Sequence, residues 1–409
     1  MKNNKIISFF LASLIIVFSA ISAYAENLST GIYALNLNNY SDYLLNKDLS
    51  SVTVAVVDSG VANIPSVKGK IVQGYDFIDE DNDASNDTSS DSHGTIIASI
   101  ISEAAKDLPI KIMPVRILEN KTVTIENIVS GIKYAVDNGA SVINLSIGGS
   151  LSDCSKIDEA MEYAHLNNVS VVVAAGNEKR DITNYCPAHN ESAITVSAVD
   201  SEKHFANKFS NFGEQVDCCA PGINIAGYDS SGKSVCVNGT SFSAAFVSAG
   251  VSMLRLEYPR YSADEIQEKL KSICIDLGEE GFDYYYGFGL PDFSKLIINS
   301  STITIKDNTA KHRYGETVTL ESVVSNVING AEIHWFVNDI DTGKVGNIYS
   351  VENCKNSFSI QAKYIINGNI IAESQNESIT IRANFFDKLF AFFHYVCSKI
   401  LNRVSQIIM

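Results

Sequence analysis

The chain has 409 residues, 45% of them hydrophobic and 19% charged, which is enough apolar material for a large core plus a second, smaller domain and argues against disorder. Its formal net charge of −16 leaves no basic face for phosphate, so nucleic acid is not an expected partner.

At the N-terminus, Lys2 and Lys5 precede the apolar run Ile6 to Ile21 and then Ala23-Tyr24-Ala25, the small-x-small pattern of signal peptidase cleavage. Residues 1–25 therefore read as a signal peptide, with export and maturation near Glu26; an uncleaved anchor is the alternative. Cleavage would move the net charge to −18, because two lysines and no acids leave with the segment. All eight cysteines lie beyond it, where an exported protein can oxidise them. Among them there is no Cys-x-x-Cys pair and no clustered histidine, so no zinc or other metal-thiolate site is expected.

After a short N-terminal segment, 26–48, near-continuous apolar runs alternate with helical patterns. "VTVAVV" (52–57), "IKIMPVRIL" (110–118), "SVINLSI" (141–147) and "VSVVVAA" (169–175) read as strands buried on both faces. "TIENIVSGIKYAVDNG" and "CSKIDEAMEYAHLNN" repeat apolar residues at three and four positions and end in helix-stop residues. This alternation predicts an α/β fold, a mostly parallel sheet covered by helices on both sides. In such a sheet the ligand site lies beyond the carboxyl ends of the strands.

Past about Ser300 the pattern turns to short alternating strands between Asn, Gly and Asp turns, such as "ETVTLESVV", "AEIHWFVND" and "SFSIQAKYI". Residues 301–382 thus read as a small all-β immunoglobulin-like sandwich, with Trp335, the only tryptophan, in its core. The last stretch, 384–409, sets Phe386, Leu389, Phe393, Val396 and Ile400 on one stripe with Lys388, Lys399 and Arg403 largely off it. An amphipathic helix of that kind fits either peripheral contact with a membrane or cell surface, or docking on the protein's own surface.

Strand ends and helix starts supply the candidates for chemistry. Asp58 follows "VAVV", Asn177 follows "VVVAAG", His93 opens "HGTIIASII", and Ser241 opens the helical run in "NGTSFSAAFVSAG". A serine hydroxyl needs a base to take its proton, an imidazole titrates near neutral pH, and a buried carboxylate fixes the imidazole tautomer. Ser241, His93 and Asp58 are those three groups. The Asn177 amide and the Ser241 backbone N–H at a helix N-terminus could hold an oxyanion. Ser243 and Ser248 fall deeper in the helix and are weaker candidates.

"VVDSG", "SHGTIIAS", "INLSIGG", "AAGNE", "CCAPG" and "NGTSFSA" occur in the order and near the spacing of the subtilisin-like serine peptidases, which the chain resembles over roughly residues 45–295. The resemblance implies a subtilisin-like three-layer fold over 49–298. It implies that Asp58 orients, His93 acts as base then acid, Ser241 attacks and Asn177 holds the oxyanion. Ser146, Ile147, Gly148 and Gly149, with Ala175 and Gly176 opposite, would then form the pocket for the residue before the scissile bond, and Lys121 to Thr124 would pair a substrate strand. Protein or peptide substrates, no required cofactor and a secreted or extracellular location, with cell-surface association as an extension, follow from the same resemblance. The alternative is a catalytically idle member used as a surface binding or adhesion protein.

The chain also departs from that pattern. Phe242, Ala245 and Phe246 stand where the family usually has Met, Pro and His, and the added bulk of Phe246 requires that a neighbour has given up volume. The segment before the first strand is too short for the folding-assisting propeptide common in secreted members. Cys154 with Cys186, and Cys218 or Cys219 with Cys236, are candidate disulfides. The acidic stretch Asp76 to Asp91 reads as a solvated loop, with a structural Ca2+ site as the second reading.

Overall fold

The computed structural model describes residues 30–85, 92–119, 122–150, 153–298, 301–307, 312–325, 331–366 and 368–383. The expected signal peptide (1–25) and amphipathic tail (384–409) lie outside the described residues. The chain divides into two compact units, Met1–Lys295 and Leu296–Met409.

In the first unit the elements run α1 (Leu37–Leu44), β1 (Val52–Asp58), β2 (Tyr75–Asp76), α2 (His93–Ala104), β3 (Ile110–Arg116), β4 (Leu118–Glu119), β5 (Thr122–Val123), α3 (Ile125–Asp137), β6 (Val142–Leu145), β7 (Gly149–Ser150), α4 (Ser155–Leu166), β8 (Ser170–Ala174), β9 (Tyr185–Cys186), β10 (Ala193–Val199), β11 (Cys218–Pro221), β12 (Ile225–Tyr228), β13 (Ser234–Val237), α5 (Thr240–Glu257), α6 (Ala263–Ser272), β14 (Cys274–Ile275) and β15 (Leu290–Pro291). Seven strands form one sheet in the order β11-β10-β8-β6-β1-β3-β2, and every pairing in it is parallel. The valine-rich runs explain this, because a strand covered on both faces has no polar side to offer water. Val54, Ala55, Val56 and Val57 of β1 are all fully buried.

Alternate residues of each strand separate two layers. Ala55, Val57, Val115, Ile143 and Val173 pack against Ile128, Ile132 and Ala135 of α3 and Ile157, Ala160 and Met161 of α4. The opposite face carries α2 and α5. Helix α5 is buried from Thr240 to Leu256, and its serines are tied into the surroundings rather than exposed. Ser243 donates to the Ala220 carbonyl at 3.0 Å and Ser248 accepts from Asn144 at 3.0 Å.

The order of strands reverses at β1, which lies between β3 and β6. That switch point opens a crevice beyond the carboxyl ends of β1, β6 and β8.

Residues ahead of β1 belong to the core of this unit. Leu35, Leu37, Tyr40 and Leu44 are fully buried, and the Phe293 N–H donates to the Leu35 carbonyl at 3.0 Å. The volume surrendered to Phe246 is found here: a methyl group on Gly31 would lie 2.3 Å from the Phe246 ring, so only glycine admits that aromatic.

In the second unit, β16 (Ile303–Asp307), β18 (Val318–Val324) and β21 (Ile348–Val351) form a three-stranded antiparallel sheet, while β17 (His312–Arg313) pairs with β25 (Ile381–Arg382). A five-stranded antiparallel sheet joins β20 (Ile340–Val345), β19 (Glu332–Val337), β22 (Phe358–Ile366), β23 (Asn369–Glu373) and β24 (Glu377–Ile379). Residues of β18 alternate between buried and exposed, as a sheet with one wet face requires. Trp335 is fully buried, donates Nε1–H to the Gly346 carbonyl at 2.7 Å, and lies 5.4 Å centroid to centroid from Tyr349.

Candidate active site

Asp58 ends β1, and its carboxylate is fully buried. A buried charge must be met by donors, and here His93 Nδ1 lies 2.9 and 3.0 Å from the two carboxylate oxygens while the Ser59 N–H reaches Oδ1 at 2.8 Å. His93 is the first residue of α2. The glycine after it keeps this contact open: a methyl on Gly94 would lie 2.3 Å from the Gly60 carbonyl and 3.2 Å from Asp58 Cβ.

Ser241 is the second residue of α5, and its Oγ is 3.5 Å from the Ser146 carbonyl. Ser146 in turn donates to the Ser241 carbonyl at 3.2 Å and to Asn144 at 3.1 Å, fixing the start of α5 against the end of β6. Asn177 follows β8, and its Oδ1 accepts both the backbone N–H and the hydroxyl of Thr240. The Nδ2 of Asn177 is thereby left as the donor end of its amide.

One crevice of about 420 Å³ is lined by His93, Leu118, Ser146, Ile147, Gly148, Ala174, Gly176, Asn177, Tyr185, Thr240 and Ser241. It brings His93, Asn177 and Ser241 together with four of the six residues expected to form the pocket. Gly149 lies beyond it, paired with Cys186 in the β7–β9 ladder, and Ala175 is fully buried. A larger cavity of about 650 Å³, lined by Asp200, Phe205, Lys208 and Asn224 among others, holds none of the candidate residues.

Three residues at the site are not among the candidates read from the sequence. Tyr185 enters from β9, its hydroxyl 3.4 Å from Glu178 Oε1, and burial followed by the Glu178 charge pushes its phenol up to about 12. Phe242 places its ring 5.7 Å from the His93 ring. Thr240 bonds both Asn177 and the Gly176 N–H. The departure of Phe242 from the family pattern was visible, but not its contact with the imidazole.

Cys154 and Cys186 form a disulfide that ties the N-terminus of α4 to β9. The second expected pairing does not form. Cys218 and Cys219 are buried thiols in β11 of the central sheet, whereas Cys236 is an exposed thiol on the β12–β13 hairpin, so the partners belong to different layers. Burial raises both Cys218 and Cys219 well above the ordinary thiol range.

The acidic stretch is described as far as residue 85; Asp87 and Asp91 lie outside the described residues. Asp76 accepts from the Ile78 N–H at 2.7 Å and from Arg116 at 2.6 Å, and Arg116 also reaches Asp79 at 2.7 Å and Glu119 at 3.0 Å. A buried guanidinium thus sits among three carboxylates beside β1, where Arg116 is the register partner of Asp58. Leu118 and Glu119 pair with Val123 and Thr122 in the β4–β5 hairpin, the expected substrate-pairing edge; Lys121 lies outside the described residues.

Comparison with known proteins agrees with this architecture. The chain is 34% identical over 264 residues to the thermophilic serine proteinase of Bacillus sp. (strain AK1), a match covering 61% of this chain and 63% of that protein. It is 31% identical over 255 residues to subtilisin DY of Bacillus licheniformis, covering 59% of this chain and 89% of that one. Among solved structures, a cold adapted subtilisin-like serine proteinase superposes with a TM-score of 0.53 at 30% identity, over 58% of this chain and 88% of that one. Among the described residues no helix is long and apolar enough to cross a membrane. The Subtilase family profile, Peptidase S8, matches residues 50–289, so the chain belongs to the subtilase family of serine endopeptidases.

Proposed function

We propose that this chain is an exported serine endopeptidase that cleaves protein or peptide substrates through an acyl-enzyme. Ser241 Oγ attacks the scissile carbonyl while His93 Nε2 takes its proton, and the same nitrogen then protonates the leaving amine. Asp58 holds Nδ1–H, fixing the tautomer and stabilising the imidazolium. Asn177 Nδ2 and the Ser241 N–H receive the oxyanion at the N-terminus of α5. The reaction needs no cofactor, since nucleophile, base and oxyanion donors all come from the chain. Residues 301–382 form an immunoglobulin-like module, and 384–409 an amphipathic segment for surface contact, in this reading.

The observation that carries the reading is the bond between His93 Nδ1 and the buried Asp58, made at the edge of a crevice that His93 shares with Ser241 and Asn177. A fluorophosphonate probe tests it directly. Wild type should be labelled and Ser241→Ala should not; a well-folded wild type that resists labelling would leave the idle surface-binding protein as the better account. Export is tested separately by N-terminal sequencing of protein from culture medium, with Glu26 as the expected first residue.

A further inference from the structure

The crevice has an unusual floor. Its lining includes two segments, Ser146 to Gly148 and Gly176 with Asn177, which we take as its walls. The ring of Tyr185 lies between them. A methyl on Gly148 would meet Tyr185 Cε1 at 2.6 Å, and a methyl on Gly176 would meet the same Cε1 at 2.6 Å and Cζ at 2.7 Å. The ring thus occupies the space where a side chain on Gly148 would go and reaches the same space at Gly176, where a φ of +102° and Asn211 Nδ2, 2.4 Å from that methyl, also require glycine. Tyr185 is itself buried, 4% exposed, and its position is not adjustable. Its backbone pairs with Ser150 in the β7–β9 ladder, its N–H donates to the Ile182 carbonyl at 2.8 Å, and the next residue, Cys186, is bound to Cys154.

Charge at this floor is also accounted for. Glu178 is the nearest acid; its Oε1 faces the Tyr185 hydroxyl and its Oε2 accepts from Arg180 at 3.1 Å. Arg180 continues to Ser150 Oγ at 2.6 Å, and Ser150 is the ladder partner of Tyr185. A lysine or arginine side chain entering here would find the carboxylate already paired and a guanidinium beside it.

We propose that Tyr185 closes this pocket from below, so that the peptidase cleaves after small uncharged residues (alanine, glycine or serine) and not after large apolar, aromatic or basic ones. A substrate side chain sandwiched between the two glycine walls competes with the phenol ring for the same volume, and a packed interior does not yield a ring's width. The inference rests on the serine endopeptidase reading and adds the substrate class to it.

The test is a series of succinyl-Ala-Ala-Pro-X-p-nitroanilides with X as Ala, Leu, Phe or Lys, assayed with full-length protein whose active sites are first counted by fluorophosphonate labelling. For wild type, kcat/KM for Ala should exceed that for Phe and Lys by about tenfold or more, the scale on which pockets sort side chains by size. Tyr185→Gly should raise the Phe-to-Ala ratio at least tenfold, and Tyr185→Leu, which keeps an apolar floor should the glycine variant not fold, should raise it by less. Labelled wild type that prefers Phe, Leu or Lys overturns the closed pocket and leaves the peptidase reading intact. A ratio unchanged in a folded Tyr185 variant does the same. Absence of labelling overturns the peptidase reading and this one with it.

Discussion

Thr240 reaches Asn177 twice: its backbone N–H at 3.0 Å and its hydroxyl at 3.1 Å both donate to Asn177 Oδ1, while that hydroxyl accepts the Gly176 N–H at 3.1 Å. The amide proposed to hold the oxyanion is therefore oriented by the residue next to the proposed nucleophile, Ser241, and an oxyanion donor is useful only when aimed before the charge forms.

Removing the hydroxyl should loosen that aim. Thr240→Val is expected to lower kcat about tenfold, the effect of roughly 1.4 kcal/mol, with KM nearly unchanged, and Thr240→Ser should recover most of it. Asn177→Ala is expected to cost about a hundredfold to a thousandfold in kcat, a magnitude that belongs to subtilisin and is carried over to this relative. Steady-state kinetics on one chromogenic peptide separates the two effects.

Arg116 has a different duty. It is buried, as is Asp76, while Asp79 and Glu119 have side chains about half exposed (51% and 53%) and weigh less. Arg116→Ala strands the Asp76 carboxylate, and breaking a buried pair by removing one partner costs about 3–5 kcal/mol. Urea unfolding followed by residual activity should show that loss, with Arg116→Lys intermediate between the two.

The disulfide closes a separation of 32 residues, which corresponds to about 3–4 kcal/mol of chain entropy. Dithiothreitol should shorten the thermal half-life of the activity without moving the unfolding signal of Trp335, which lies in the other unit. Native alkylation with iodoacetamide should mark the exposed Cys236 first, with Cys218 and Cys219 modified only after unfolding.

Burial lowers the Lys70 ammonium to about 8, against the opposing pull of Glu103 and Asp107 and with Lys111 adding to the fall; its Nζ donates to the Ser102 and Ala105 carbonyls at the end of α2. A depressed value in the folded state means the unfolded chain binds the proton more tightly between about pH 8 and the model-peptide value of about 10.4. Stability from this group is thus present above that window and lost as pH falls through about 8. The difference in melting temperature between wild type and Lys70→Met should shift in favour of wild type as pH is raised across the window, and a pH-independent difference would contradict the depressed ammonium.

What the residues disclosed and what they withheld divide along physical lines. Strand β1 was legible because Val52 to Val57, Thr53 apart, are apolar without alternation, and Asp58 and His93 because a strand end and a helix start must carry whatever faces the crevice. Burial of Trp335 followed from its place on an apolar face. Tyr185 was not legible: nothing near it in the chain marks it as a pocket floor, which depends on pairing with Ser150 and on the bridge between Cys154 and Cys186. Ala175 missed the crevice because adjacent residues in extended chain point to opposite sides, so that Ala174 and Gly176 line it while Ala175 is buried, and Gly149 missed it because it enters the β7–β9 ladder opposite Cys186. Pairing Cys236 with Cys218 or Cys219 failed because closeness in sequence says little about which layer a thiol occupies.

A peptidase is exposed to its own activity, and the fit of Gly31 beneath Phe246 limits how far self-trimming can go. A cut ahead of Thr30 leaves that fit intact. A cut after Leu44 would detach Leu35, Leu37, Tyr40 and Leu44, all fully buried, and open a trench along the helix that begins with Thr240 and Ser241. The first residue of the stable product therefore reports on how tightly this segment is clasped, and an enzyme that retains activity should retain Gly31.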